Sequence, residues 1–211
     1  MDTKSTGVSI CSLAALATIL GFAVYPLVPA QIASHWDLAG QVNGYLPKEW
    51  GIFLFPYLIL FIFIIWWAIP YLEPMKKNLE AFRESYNGFM LVIAIFFFYV
   101  YALVIGANVG WLFDFTQALA PALALVFAAA GVLLAHSKRN YLVGIRTPWT
   151  LSSDKVWDRT HVVASYLFYF CGVWAFAGFF FPEYLAWFLL FPLMATIVIV
   201  IVYSYIEFRR Q

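Results

Sequence analysis

Six stretches without a single Asp, Glu, Lys or Arg, at residues 8–28, 51–72, 86–108, 116–136, 162–181 and 184–206, constrain this chain more than any other feature. Each has the roughly 20 residues that a helix needs to cross the hydrocarbon core of a bilayer. Only 11% of the 211 residues are charged and 64% are hydrophobic, whereas soluble domains carry roughly a quarter charged residues. The expectation is an all-α membrane protein, a bundle of six transmembrane helices. No charge separates Glu84 from Asp114, so the break between the third and fourth spans is expected at Gly110 and Asp114. The first span follows Lys4 and precedes Val28-Pro29-Ala30, as a cleavable leader would, but it is longer than a typical leader core and is read as retained. Residues 1–136 then form a four-helix part with an outward loop at 29–50. Residues 137–211 hold an inner loop and the last two helices, and the whole reads as one structural unit.

Basic residues set the orientation. Lys4 lies before the first span, Lys76, Lys77 and Arg83 in the second loop, Lys138, Arg139, Arg146, Lys155 and Arg159 in the fourth, and Arg209 and Arg210 in the tail. Those eleven share one side, and Lys48 alone lies on the other. The positive-inside rule then makes both termini cytoplasmic. Trp36, Trp50, Trp111 and Trp187 would mark the outer interface, and Trp66, Trp67, Trp149 and Trp157 the inner one. Small-residue rows at Ala17 and Gly21, Gly106 and Gly110, and Ala120, Ala124 and Ala128 predict close helix packing.

Several function classes lose ground on composition. Twelve basic residues against eleven acidic ones give no reason for direct nucleic-acid binding. The span interiors lack the ionisable groups that coupled transporters keep at midplane. HExxH, GxSxG and Walker motifs are absent from the sequence, so neither an enzyme nor a cofactor is expected. Cys11 and Cys171 fall within apolar spans and read as buried, unpaired thiols.

Two loops concentrate the remaining chemistry. In the fourth loop Pro148 biases Thr147 away from the helical region, so Arg146-Thr147-Pro148-Trp149 should run extended or turned after Gly144. Ser152 or Ser153 is a natural N-cap for the next helix, on which Asp154, Trp157, Asp158 and His161 would share a face. That face is either a binding or switching site or a capped helix start with His161 paired to Asp158. Arg139, Asn140 and Arg146 would hold lipid phosphates or a partner's carboxylates, serve as anchoring charges, or join Arg146 to Asp154. In the first loop His35 and Asp37 would either contribute to a metal site or hydrogen-bond the turns at Gly40 and Asn43-Gly44. The second reading is preferred because zinc takes more nitrogen or sulfur ligands.

Arg139-Asn140, Gly144 through Leu151, Asp154, Val156-Trp157 and Thr160-His161 resemble the signature of the SdpI family of sporulation-delaying-protein immunity proteins. Pro29 through Ile32, His35-Trp36, Gly40, Val42 through Tyr45 and Lys48 resemble the extracytoplasmic loop usual upstream in that family, with Asn43 where an acid is frequent. The resemblance implies an integral membrane immunity and signalling protein giving resistance to a secreted membrane-active toxin peptide and recruiting a cytoplasmic repressor. It implies an outward binding loop at His35, Trp36, Asp37, Gly40, Asn43, Gly44 and Lys48. It likewise implies a cytoplasmic signature of Arg139, Asn140, Gly144, Arg146, Thr147, Pro148, Trp149, Thr150, Asp154, Trp157 and His161. The runner-up is a small transporter or channel, with midplane cavities at Asn108 or Gln117, and behind it an intramembrane enzyme.

Overall fold

A computed structural model describes residues 2–37 and 40–211. Helix α1 spans Thr3–Val24, and a hairpin follows, β1 (Gln31–Trp36) antiparallel to β2 (Val42–Pro47). Helices α2 (Lys48–Leu72), α3 (Lys76–Ala81), α4 (Arg83–Asn108) and α5 (Phe115–His136) come next. A short α6 (Pro148–Ser152), α7 (Asp154–Ala177), a 3-10 turn (Pro182–Tyr184) and α8 (Leu185–Arg209) complete the chain. Among the described residues six helices, namely α1, α2, α4, α5, α7 and α8 with its 3-10 lead-in, are long and apolar enough to cross a membrane. The chain is a multi-pass membrane protein.

Side chains punctuate these helices at their ends, where backbone amides lack helical partners. Asp2 accepts from the Ser5 amide at 2.8 Å, and Asp114 from the Gln117 amide at 2.8 Å. The side chain of Ser153, rather than that of Ser152, accepts from the Val156 amide to start α7. Gly110, with φ of 92°, makes the turn between α4 and α5 at the expected place.

The spans pack as two sets of three. Helices α1, α2 and α4 pack on one another, as do α5, α7 and α8, and α4 against α5 joins the sets. Water expulsion does not drive helices together within lipid, so close approach of small residues matters. A Cβ on Gly21 would lie 2.9 Å from the Tyr101 hydroxyl, and one on Gly172 would lie 3.0 Å from the Ala124 carbonyl oxygen. Outward-facing side chains such as Ile19, Val173, Leu190 and Phe191 are exposed apolar groups, as a lipid-facing surface requires.

Three expectations are corrected. Trp66 and Trp157 are buried within the protein, so they belong to no interfacial belt, whereas Trp50, Trp67, Trp111 and Trp187 are exposed. Cys11 faces outward from the bundle, and only Cys171 is the buried thiol, against the Thr196 hydroxyl. Pro148 and Trp149 are helical, because Thr147 takes the extended conformation (φ −89°, ψ 160°) and lets Pro148 open α6.

Candidate functional site

The two loops occupy opposite ends of α5. Trp36 of the hairpin stacks on Phe115, the first residue of α5, while the 137–147 loop leaves its last turn. At 22 residues and 1.5 Å per residue the separation is about 33 Å, a bilayer core.

At the hairpin end, His35 Nδ1 hydrogen-bonds Asn43 Oδ1 across the strands, and the Asp37 carboxylate accepts the Gln41 amide at 2.9 Å. Both side chains organise the turn, as the non-metal reading has it. Gly40 adopts φ of 73° and donates its amide to the Asp37 carbonyl. Gly44 faces His35 across the ladder, where a Cβ would come within 2.8 Å of His35 Cβ. Lys48 donates its amide to the Ala30 carbonyl, and its ammonium lies 4.2 Å from the Tyr25 ring centre. The Tyr25 hydroxyl donates to Glu49 at 3.0 Å, which pushes the phenol's pKa up.

Two attachments hold the hairpin to the bundle. Asn108, at the end of α4, accepts the Ala33 amide at 2.8 Å and donates to the Ala33 carbonyl at 3.0 Å. Trp36 lies parallel to Phe115 with ring centres 3.9 Å apart. The hairpin therefore bridges both three-helix sets, over a cavity of about 320 Å³ that Trp36, Asp37, Phe55, Val104, Phe115 and Leu185 help to line.

At the other end a buried asparagine shapes the loop. Asn140 donates to the carbonyls of Lys138 and Val143 and accepts the amides of Leu142 and Val143, so its amide is engaged by the loop itself. Gly144 turns the chain at φ of 110° and lies against two aromatic rings. A Cβ there would stand 2.7 Å from His161 Nε2 and 3.2 Å from Trp157. Those rings stack 4.0 Å apart, and Trp157 Nε1 donates to the Ser137 carbonyl. The His161 ring is a neutral connector: Nε2 accepts the Ile145 amide at 3.0 Å, which leaves Nδ1 to donate to the Trp157 carbonyl at 2.9 Å.

The anticipated four-residue face is thus divided. Trp157 and His161 point inward against Gly144, whereas Asp154 and Asp158 sit on the exposed edge. Asp158 pairs with Lys138 at 3.3 Å and not with His161. Asp154 pairs with Arg139 Nε at 2.7 Å and not with Arg146, and Arg139 also donates to the Leu151 carbonyl at 2.9 Å. Arg146 instead donates to the Tyr141 carbonyl at 2.8 Å and is otherwise exposed. Thr147 and Thr150 cap α6 reciprocally, and Thr150 Oγ1 also donates to the Ile145 carbonyl. Helix α6 docks on α8 through Thr147 to Ser204 at 3.3 Å and through Trp149 edge-on to Tyr205. Pro148 is exposed at the start of that contact.

Glu73, just beyond α2, is absent from the sequence-derived site. It is fully buried, and its carboxylate accepts three amides: Met75 at 2.8 Å, Tyr141 at 3.0 Å and Leu142 at 3.1 Å. Asn78 of α3 donates to the Arg139 carbonyl at 2.8 Å. This loop therefore also bridges the two helix sets, over a second cavity of about 380 Å³ between α2, α4, α5 and α7. The recoverable signal for Glu73 was an acid at the junction of an apolar span with a loop; its amide partners leave no side-chain pattern.

Residues 136–205 match the SdpI/YfhL protein family model. Over this segment the chain is similar to the SdpI family. That segment runs from the last residue of α5 through the braced loop, α6 and α7 and most of α8, and so contains every residue of the inner signature. Residues 13–60 match a domain of unknown function, DUF1648, which takes in the hairpin. Along its length the chain is 24% identical to Immunity protein SdpI of Bacillus subtilis (strain 168), over 196 residues and 92% of each protein. No solved structure matches.

Proposed function

We propose that this chain is an SdpI-type membrane immunity and signalling protein that protects its host from a secreted membrane-active toxin peptide. Support comes from its similarity along 92% of its length to an immunity protein. The observation that carries the mechanism is the bridging of both helix sets by each loop, through Asn108 and Trp36–Phe115 at one end and through Glu73 and Asn78 at the other. A ligand that moves one set against the other changes both loops together, which is what coupling between two faces of a membrane requires.

The eleven-to-one division of basic residues supports an arrangement with the termini and the Arg139–His161 segment in the cytoplasm and the hairpin outside. The hairpin residues His35, Trp36, Asp37, Gly40, Asn43, Gly44 and Lys48 would meet the peptide, and the inner loop would show an altered surface to a cytoplasmic repressor. Binding without turnover is sufficient for this role, and the whole chain acts as one unit in the lipid bilayer. Asn108 and Gln117, the polar groups that would have favoured transport, are engaged with Ala33 and with the Phe179 carbonyl. Expression in a toxin-sensitive bacterium, followed by challenge with purified peptide, tests the reading: growth should survive doses that stop the vector control, and equal sensitivity overturns it.

A further inference from the structure

We propose that the cavity beneath the Asn140–Ile145 loop holds one anionic phospholipid, with an acyl chain inside and its phosphate on Arg146. The cavity of about 380 Å³ falls between α2, α4, α5 and α7, and Ile69, Phe89, Met90, Ala130, Leu134 and Phe168 are among its walls. That volume is within the roughly 300–1,000 Å³ of ordinary ligand sites. Left empty, walls of this kind forfeit dispersion contacts, and the apolar filler at hand in a bilayer is an acyl chain.

The roof of the cavity is the run 142–145. The residues that flank this run, Tyr141 and Arg146, are tied to each other by the 2.8 Å bond from Arg146 Nη1 to the Tyr141 carbonyl. The guanidinium is therefore held at the rim, exposed, with one N–H on Tyr141 and its remaining donors able to fork onto phosphate oxygens. Helix α3, bonded to the same loop through Asn78, presents Lys76 and Lys77 to solvent. Acids around the loop already have partners: Glu73 takes three amides, Asp154 takes Arg139, Asp158 takes Lys138 and Glu80 takes Arg83. The positive charge at the rim is thus left for a lipid headgroup.

Native mass spectrometry of the full-length protein in detergent tests this with phosphatidylglycerol and phosphatidylcholine of identical chains. The expected result is one phosphatidylglycerol per chain, bound about tenfold more tightly than phosphatidylcholine. Arg146→Gln should weaken phosphatidylglycerol more than phosphatidylcholine and so remove that preference, and Arg209→Gln, far from the cavity rim in sequence, should keep it. Ala130→Phe should fill the cavity and weaken both lipids. In case that variant fails to fold, competition on the unmodified protein gives an independent reading: glycerol phosphate, which lacks acyl chains, should not displace the lipid. Equal binding of the two lipids, retention of the preference in Arg146→Gln, or displacement by glycerol phosphate at matching concentration each overturns the proposal. The site does not depend on toxin recognition, so failure of toxin protection leaves this result standing.

Discussion

The carboxylate of Glu73 accepts the backbone amide of Tyr141 at 3.0 Å, 68 residues further along the chain. A buried carboxylate is tolerated only when its lone pairs are filled, and here amides from both sides of the bundle fill them. The first helix set thereby grips the loop of the second. The sequence places this acid at an ordinary span end, and nothing in its spacing announces the contact.

Glu73→Gln removes the charge and turns an amide NH2 toward backbone donors that need an acceptor. A buried unsatisfied donor costs about 1–3 kcal/mol. Thermal unfolding in detergent should therefore show a clear drop in Tm for Glu73→Gln, and none for the exposed Glu80→Gln. Equal Tm values for Glu73→Gln and the parent would remove Glu73 from the brace.

Gly144→Ala combines a positive φ with a Cβ 2.7 Å from His161 Nε2. Backbone strain of this kind costs about 1–3 kcal/mol before the clash is counted. The expected outcome is lower Tm together with loss of toxin protection, since the ring pair at Trp157 and His161 must shift. Gly88→Ala, with nothing within 4 Å of the added Cβ, is the matched control and should be silent.

Much of this was legible. The spans are written in charge-free runs that bilayer physics forces, and the capping at Ser153 and the turn at Gly110 follow from local backbone preferences. The strands leave no such mark, because irregular register between Ala33 and Trp36 breaks the alternation that identifies a strand. Within the site, the shared helix face of Trp157 and His161 was legible from their spacing, but the packing of Gly144 against them and which arginine reaches Asp154 were not. Both Arg139 and Arg146 precede it, and the choice is made by the turn at Gly144, which carries Arg146 to the Tyr141 carbonyl.

Arg139 makes a two-sided contact, with Asp154 and with the Leu151 carbonyl, that one ammonium cannot reproduce. Because Asp154 is exposed, the pair contributes only about 1 kcal/mol. Arg139→Lys should lower Tm slightly and leave topology unchanged. Lys138→Arg, which keeps the single contact to Asp158, should match the parent. A larger loss from Lys138→Arg than from Arg139→Lys would contradict the assignment.

Orientation is open to a direct measurement. In a background without Cys11 and Cys171, single cysteines at Gln41 and Ser152, both exposed, report the two loops. A membrane-impermeant maleimide added to intact cells should label the Gln41 position and reach the Ser152 position only after lysis. Labelling of both from outside would contradict the eleven-to-one reading.

Asn108 separates hairpin docking from hairpin folding. Its amide both accepts from and donates to Ala33, while the strands keep their own ladder and the His35–Asn43 bond. Asn108→Leu preserves bulk at the end of α4 but leaves the Ala33 amide and carbonyl unpaired in a part-buried place, at a cost of about 1–3 kcal/mol. The hairpin should then loosen from α4 as a unit, with Trp36–Phe115 as the remaining tether. Hydrogen exchange should quicken at Ala33 while the α2 and α5 helices stay protected, and the dose of toxin tolerated should fall although the protein still inserts. Asn108→Asp retains the acceptor for the Ala33 amide but offers no donor to the Ala33 carbonyl, so it should lie between the parent and Asn108→Leu. Unchanged exchange at Ala33 in Asn108→Leu would show that stacking on Phe115 alone holds the hairpin, and the two-point attachment to both helix sets would have to be abandoned.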